Sequence, residues 1–367
     1  MITTSPARTV VTDAEVDALL DLNAPVVSGA SGGKDSQAVA LAVARHLDLI
    51  GHRGPRLLVH ANLGRVEWRD SMGVCERLAA HLGWELLVVR RHAGDLLHRW
   101  ESRWISRRDA YAELLTVRLT PPWSTPSMRF CTSELKTDPI GSALRKRFPT
   151  GPIISVDGVR AQESAARAKK PISSPAAKLS RKDSVGLNWH AILPWSVEDV
   201  FAEIAAAGLA PHEAYIIHGS SRVSCGFCIM GSLADLEIAA ALPEHHDLLL
   251  SMVDLECRST FAFQGARWLG SVAPLRLTPE MRMRLDRAKV AAAARVEAEK
   301  GIPPHLLFRG QGWPESVPSF EEAEQLANIR RRVAHAVGIE VSFTDARSVR
   351  LRYEELKCLQ DAKKAAA

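Results

Sequence analysis

The stretch Val26-Val-Ser-Gly-Ala-Ser-Gly-Gly-Lys-Asp-Ser36 runs from a β-branched pair through a glycine-rich turn into an acid-marked helix start. Residues 25–28 read as a strand, and residues 35–47 as a helix with Ala38, Val39, Ala42 and Val43 on its inner face. A strand, a tight turn and a helix in this order make an anion site. Glycines let the backbone approach closely, the first helical N–H groups point outward, and the helix dipole favours negative charge. Lys34 adds a cation, Ser31 and Ser36 add hydroxyl donors, Gly32 and Gly33 give the turn its freedom, and Asp35 can help hold Mg²⁺. A Walker A loop would need glycine at position 28 and Ser or Thr at position 35. Ser28 and Asp35 stand there, which excludes it.

Outward from this turn the pattern repeats. Residues 56–61 and 85–89 read as strands, and residues 69–82 as the helix between them, with Cys75, Leu78, Ala79 and Leu82 at helical spacing. Residues 152–157 form another strand. Residues 100–149 are too long for a plain loop and must carry helices and an insertion. The expectation is an α/β fold, an open doubly wound parallel sheet of Rossmann-like type over residues 1–240, followed by a mainly helical region over residues 241–367. Helices are expected at 197–207, 279–300, 320–337 and 344–364. Residues 168–186, rich in Lys, Ser, Pro and Ala, read as a mobile surface loop.

Composition sets the class. Of 367 residues, 46% are hydrophobic and 24% charged, near the average for folded domains, so neither disorder nor a fibrous class is expected. No run reaches the roughly 18 apolar residues of a membrane span, and residues 1–11 lack a secretory pattern. A cytoplasmic protein without a membrane partner follows as the expectation. Six cysteines in such a chain suit metal binding or thiol chemistry better than disulfides. The net charge of +5 matches the excess carried by residues 160–183 alone, seven Lys or Arg against two acids.

Four further segments, with the turn, cover roughly residues 25–235: Val59-His-Ala-Asn-Leu-Gly64 with Glu67-Trp68; Arg129-Phe-Cys-Thr-Ser-Glu-Leu-Lys136; Gly158-Val-Arg-Ala-Gln-Glu-Ser164 with Arg167; and Leu193-Pro-Trp-Ser-Val-Glu-Asp-Val200. By these residues the chain resembles the PP-loop adenine nucleotide α-hydrolases, in the branch similar to phosphoadenosine phosphosulfate (PAPS) reductase. Within that branch it looks like the ATP pyrophosphatase component of DNA phosphorothioation systems. The resemblance implies that Ser31 to Ser36 bind ATP phosphates, that Asn62 lies beside the adenosine, and that Lys34, Asp35, Lys136 and Arg160 serve catalysis. The other reading of Arg160 is a salt bridge to Glu163. The reductases carry a Glu-Cys-Gly tail motif, and this sequence has none; Cys358 sits in a helical pattern instead.

Cys225-Gly-Phe-Cys228 can hold one metal, and Cys131 would supply a third thiolate. The resemblance favours a [4Fe–4S] cluster on Cys131, Cys225 and Cys228, with Cys257 as a fourth ligand. A zinc site including a histidine such as His218, or reactive thiols without metal, are the alternatives. Two features suit a polyanion: the basic loop with Lys169, Lys170, Lys178, Arg181 and Lys182, and residues 98–111, where Arg99, Arg103 and Arg107 recur beside Trp100 and Trp104. The plainer reading of the latter puts the tryptophans in the core. The resulting expectation is an enzyme that cleaves ATP to AMP and pyrophosphate with Mg²⁺ and replaces a nucleic-acid oxygen with sulfur, DNA before tRNA, with a cysteine desulfurase as donor. Sulfonucleotide reduction and a non-catalytic nucleotide-gated module are the competing classes.

Overall fold

Side-chain alternation along the strands decides how the sheet is covered. In the computed structural model, which describes residues 8–182, 184–308, 310 and 312–365, six strands form one sheet: β1 (Val26–Gly29), β2 (Arg56–Asn62), β3 (Glu85–Arg90), β4 (Ile153–Val156), β5 (Ser173–Pro175) and β6 (Gly186–Trp189). Their order is β3-β2-β1-β4-β6-β5, with every pair parallel except β5 against β6. Val26, Leu58 and Ile154 point to one face, into a core with Ala38, Val39, Ala42 and Val43 of helix Lys34–Leu49 and with Val200 and Ile204 of helix Val197–Ala206. Their neighbours Val27, Leu57, Val59 and Ile153 point to the other face, against Leu144 of helix Asp138–Arg147. A period of two therefore buries both faces, which is what a doubly wound parallel sheet requires.

The strand order reverses at β1. From β1 the chain moves to β2 and β3 on one side, then returns to lay β4 on the other. The turns leaving the carboxyl ends of β1 and β4 thus diverge, opening a crevice at the switch point, where open α/β sheets bind ligands.

Two expectations are corrected. Residues 168–186 are not a plain surface loop: Ser173–Pro175 forms the antiparallel edge strand, and Ala176 and Leu179 are buried beneath the sheet. Gly186 makes this possible, since a Cβ there would stand 2.3 Å from Leu179 Cβ. The alternation was hidden because small residues did the burying. The row Arg99, Arg103 and Arg107 is not uniformly solvated, because Arg103 is buried with its Nε donating to Pro121 O at 3.1 Å. Trp100 and Trp104 are core residues, as the plainer reading had it.

The chain divides into two compact units, residues 1–96 with 128–239 and residues 97–127 with 240–367. Residues 97–127, which the sequence assigned to the first region, go with the second unit. The residues expected to lack a secretory pattern include 1–7, which lie outside the described residues, as does Asp183 of the basic segment. The second unit is helical, built on His246–Ser259, Pro279–Glu299, Phe320–Val337 and Ala346–Ala365. Its core includes Trp100, Trp123 and Phe263 in edge-to-face contact. Among the described residues no helix is long and apolar enough to cross a membrane.

Candidate functional site

The turn after β1 is held open from within. Ser31 N–H donates to Ser36 Oγ (3.2 Å), and Ser36 Oγ donates to Gly33 O (2.7 Å), so the two serines brace the turn. Gly32 takes φ +76°, and a Cβ there would stand 2.9 Å from Ser71 Cα, so only glycine fits. Among the described residues the N–H groups of Gly32, Gly33 and Asp35 donate to no protein acceptor. Three open amides at the start of a long helix form an anion cradle. Tyr215, which sequence reasoning missed, closes the far side: its hydroxyl accepts from Lys34 N–H (3.4 Å) and Val223 N–H (3.1 Å).

Asp35 is the electrostatic centre. Its Oδ2 lies 2.9 Å from Lys34 Nζ, and its Oδ1 accepts from Arg160 Nε at 2.7 Å. Both cations are buried. The Arg160 side chain therefore pairs with Asp35 rather than Glu163, which instead accepts from the Arg160 backbone N–H (3.0 Å) and pairs with Arg167. Gly158 permits the approach, because a Cβ on it would stand 2.6 Å from Asp35 O. Lys34 and Arg160 do not line the cleft but pair with Asp35 at its wall.

The cleft itself has a volume of about 370 Å³ and lies at the switch point, with Ser31, Asp35, Lys136, Asp157, Gly158 and Arg167 among its walls. Lys136 comes from the turn of π-helix Ser133–Thr137. Asp157 was not singled out by the sequence. Its Oδ1 accepts from His190 Nδ1 (2.7 Å) and Val159 N–H (3.2 Å), while among the described residues Oδ2 has no protein partner. His60 and Glu67 also line the cleft. Asn62 does not; its Oδ1 accepts from Gly64 N–H at 2.8 Å and shapes the turn after β2.

The thiols gather beside this cleft. Cys225 is joined to Glu67 through a β-bridge, and Ser224 lines the cleft. Burial pushes the Cys225 thiol up to about 12; Lys136 opposes this, while Cys228, Cys131 and Glu67 reinforce it. Cys131, Cys225 and Cys228 thus share one neighbourhood. Among the described residues no group of three or more His, Cys, Asp or Glu forms a metal-binding set. Cys257 belongs to the second unit, where burial pushes its thiol up to about 11 amid Arg284, Glu256, Asp254 and Lys289. His218 stacks against Trp68, with ring centroids 6.3 Å apart.

No family model matches the chain. A protein of Escherichia phage 186, named an uncharacterized 37.8 kDa protein in the gpa 5′ region, is 31% identical over 248 residues, which cover 58% of this chain and 70% of that protein. Among solved structures, PAPS reductase from Candida auris in a phosphate complex is 12% identical with a TM-score of 0.35, covering 59% of this chain and 97% of its own. An NH₃-dependent NAD synthetase from Campylobacter jejuni bound to nitrate is 13% identical with a TM-score of 0.27, covering 77% and 96%. NAD⁺ synthetase from Burkholderia pseudomallei is 14% identical with a TM-score of 0.32, covering 79% and 87%. Likenesses this distant carry no functional argument.

Proposed function

Because the chain belongs to the same family as the uncharacterized 37.8 kDa protein of Escherichia phage 186, whose name states no activity, we propose its function from the cleft: it binds ATP and cleaves it between the α and β phosphates. The observation that carries this reading is the trio of open amides at Gly32, Gly33 and Asp35 in the turn after β1, with Asp35 and Lys136 both on the wall of the cleft at the switch point of the sheet. Amides preorganised in this way favour the charge that develops on phosphate oxygens as the bond breaks. Asp35, clamped by Lys34 and Arg160, fixes the first turn of the helix and so the direction of the cradle. Mg²⁺ supplies charge neutralisation when bound with ATP, and Asp157, with Asp35, is the residue that would hold it.

The products are AMP joined to an acceptor oxygen and free pyrophosphate. The acceptor we propose is a nucleic-acid oxygen, DNA before tRNA, which sulfur then displaces together with AMP. Sulfur arrives from a cysteine desulfurase at Cys131, Cys225 and Cys228. In this step a persulfide on one cysteine attacks the adenylated acceptor and expels AMP, and a second of these thiols reduces the resulting acceptor–cysteine disulfide to release the thiolated acceptor. The Cys–Cys disulfide left behind is reduced by an external thiol. The closeness of the cysteines to one another and to Lys136 and Glu67 on the cleft wall supports this step.

The test is product analysis with ATP and Mg²⁺, with and without DNA. AMP and pyrophosphate are expected, and Lys34→Ala should abolish them, at a cost in stability because Lys34 is buried against Asp35. ADP with phosphate would refute the α–β assignment, and binding without turnover under both conditions would favour a nucleotide-gated module.

A further inference from the structure

The two cations that sequence reasoning assigned to the phosphates are both engaged by Asp35. His60, on β2, is 1% exposed and lines the cleft. Its Nδ1 stands 2.8 Å from Ala30 O, at the start of the phosphate turn. A carbonyl only accepts, so Nδ1 must carry a proton and donate. That leaves Nε2, which is buried without a hydrogen-bond partner. The Glu67 carboxylate is 3.4 Å away, close enough for an ion pair but not directed as a hydrogen bond. A buried ring nitrogen with an unfilled bond beside a cleft marks a place for a ligand atom.

We propose, building on the ATP-cleaving assignment, that His60 is held as an imidazolium and that its Nε2–H binds a phosphate oxygen of the nucleotide from the floor of the cleft. Burial by itself would strip the second proton, but the contacts with Cys75 and Glu67 outweigh it and raise His60 to about 10. Cys75 packs from helix Ser71–Leu82, with Sγ 3.6 Å from Nδ1, and Glu67 comes from the turn after β2. Glu67 is then the positioning residue that keeps the proton on the ring, and Ala30 O fixes which nitrogen faces the cleft. Because the same bond ties His60 to the phosphate turn, ligand charge and turn position are coupled through one side chain.

The test compares ATP with adenosine, whose only difference is the phosphates. His60→Asn keeps a donor at the Nδ1 position near Ala30 O and removes both Nε2 and the charge. Its dissociation constant for ATP, measured by equilibrium dialysis, should rise at least about tenfold, as loss of a charge-assisted hydrogen bond implies, while that for adenosine stays unchanged. Equal weakening of both ligands would show a packing role and overturn the proposal, as would no weakening of either. Failure of the unaltered protein to bind ATP would instead remove the underlying assignment. Should His60→Asn not fold, Glu67→Gln serves: its ATP affinity should fall as pH rises from about 6 to 8, while the unaltered protein stays flat over that range. Identical profiles for the two proteins would overturn the proposal.

Discussion

Both units bury charge, and they use it differently. In the second unit Arg295 and Glu299 pair with each other, but its two most buried ions, Arg330 and Glu256, hold backbone. Arg330, fully buried, donates to four carbonyls: Tyr111 O and Ala112 O at 2.9 Å each, Ser342 O at 2.7 Å and Phe343 O at 3.1 Å. Glu256, also fully buried, accepts from Phe263 N–H (2.8 Å), Leu269 N–H (2.7 Å) and Gly270 N–H (3.0 Å). In the first unit the buried ions hold one another at the wall of a cleft, with Lys34 and Arg160 on Asp35 and His60 against Glu67. A charge saturated by backbone stabilises a loop. A charge balanced by another charge beside a cavity keeps a coordination site in reserve, and that difference separates scaffold from site.

The comparison is easiest to break at Arg330. Arg330→Ala strands four carbonyls and opens a void, and should lower the unfolding free energy by about 3–5 kcal/mol. Urea denaturation measures this, and a loss below about 1 kcal/mol would mean that water replaces the guanidinium. Asp35→Asn comes next. The amide presents N–H toward Lys34 or Arg160, leaving two buried cations facing a donor, at a cost of about 1.5–3 kcal/mol. Pyrophosphate release should vanish with it. Retention of turnover at the original rate would show that the clamp is structural, like Arg330.

Acidity sharpens the contrast with opposite signs. His212 is neutral in the fold, its Nδ1 accepting from Ala214 N–H at 3.0 Å, and burial chiefly holds it down to about 4 against an ordinary 6.5. Between those values the unfolded chain takes a proton that the first unit refuses, so stability falls as pH drops from about 6.5 toward 4. Glu256 runs the other way. Burial pushes it up to about 7 from 4.5, against the three N–H donors, so the fold keeps a proton that the unfolded chain releases. Stability of the second unit should therefore fall as pH rises through 4.5 to 7. Each slope is at most about 1.4 kcal/mol per pH unit. Hydrogen exchange at Ser71 and Ala214 for one unit, and at Leu269 and Gly270 for the other, reads them separately; slopes of one sign in both would sink the distinction.

Much of the scaffold is legible in sequence because periodicity is local. Helix Phe320–Val337 starts at a Ser319 cap and ends at Gly338, and the strands at 56, 85 and 153 lie where β-branched runs predict them. Strands β5 and β6 were missed, since a Ser-Ser-Pro edge strand has no hydrophobic alternation to read. The site divides in the same way. The phosphate turn is a contiguous motif, whereas His60 and Asp157 line one cleft only because the strand order brings β2 and β4 to either side of β1. Asking which polar residue follows the strands flanking a switch point would have found Asp157, directly after β4, but not His60, which lies two residues inside the end of β2. The pairing of Lys34 and Arg160 on Asp35 joins positions 125 residues apart and leaves no pattern in the sequence.

The smallest expected effect lies at Arg107, and it tests whether charge periodicity alone marks a nucleic-acid face. Arg99, Arg103 and Arg107 recur every four residues on helix Leu96–Ala112, as a phosphate-tracking stripe would. The middle member is buried, with its Nε on Pro121 O, so the row is interrupted where continuity matters most. Arg107 is exposed, and among the described residues it forms no salt bridge. An isolated exposed arginine contributes one screened charge, so Arg107→Ala should change stability by less than about 0.5 kcal/mol and leave the slope of log DNA affinity against log salt unaltered. If that slope became shallower by about one unit, Arg107 would be releasing a phosphate counterion, and this face of the second unit would be more than scaffold.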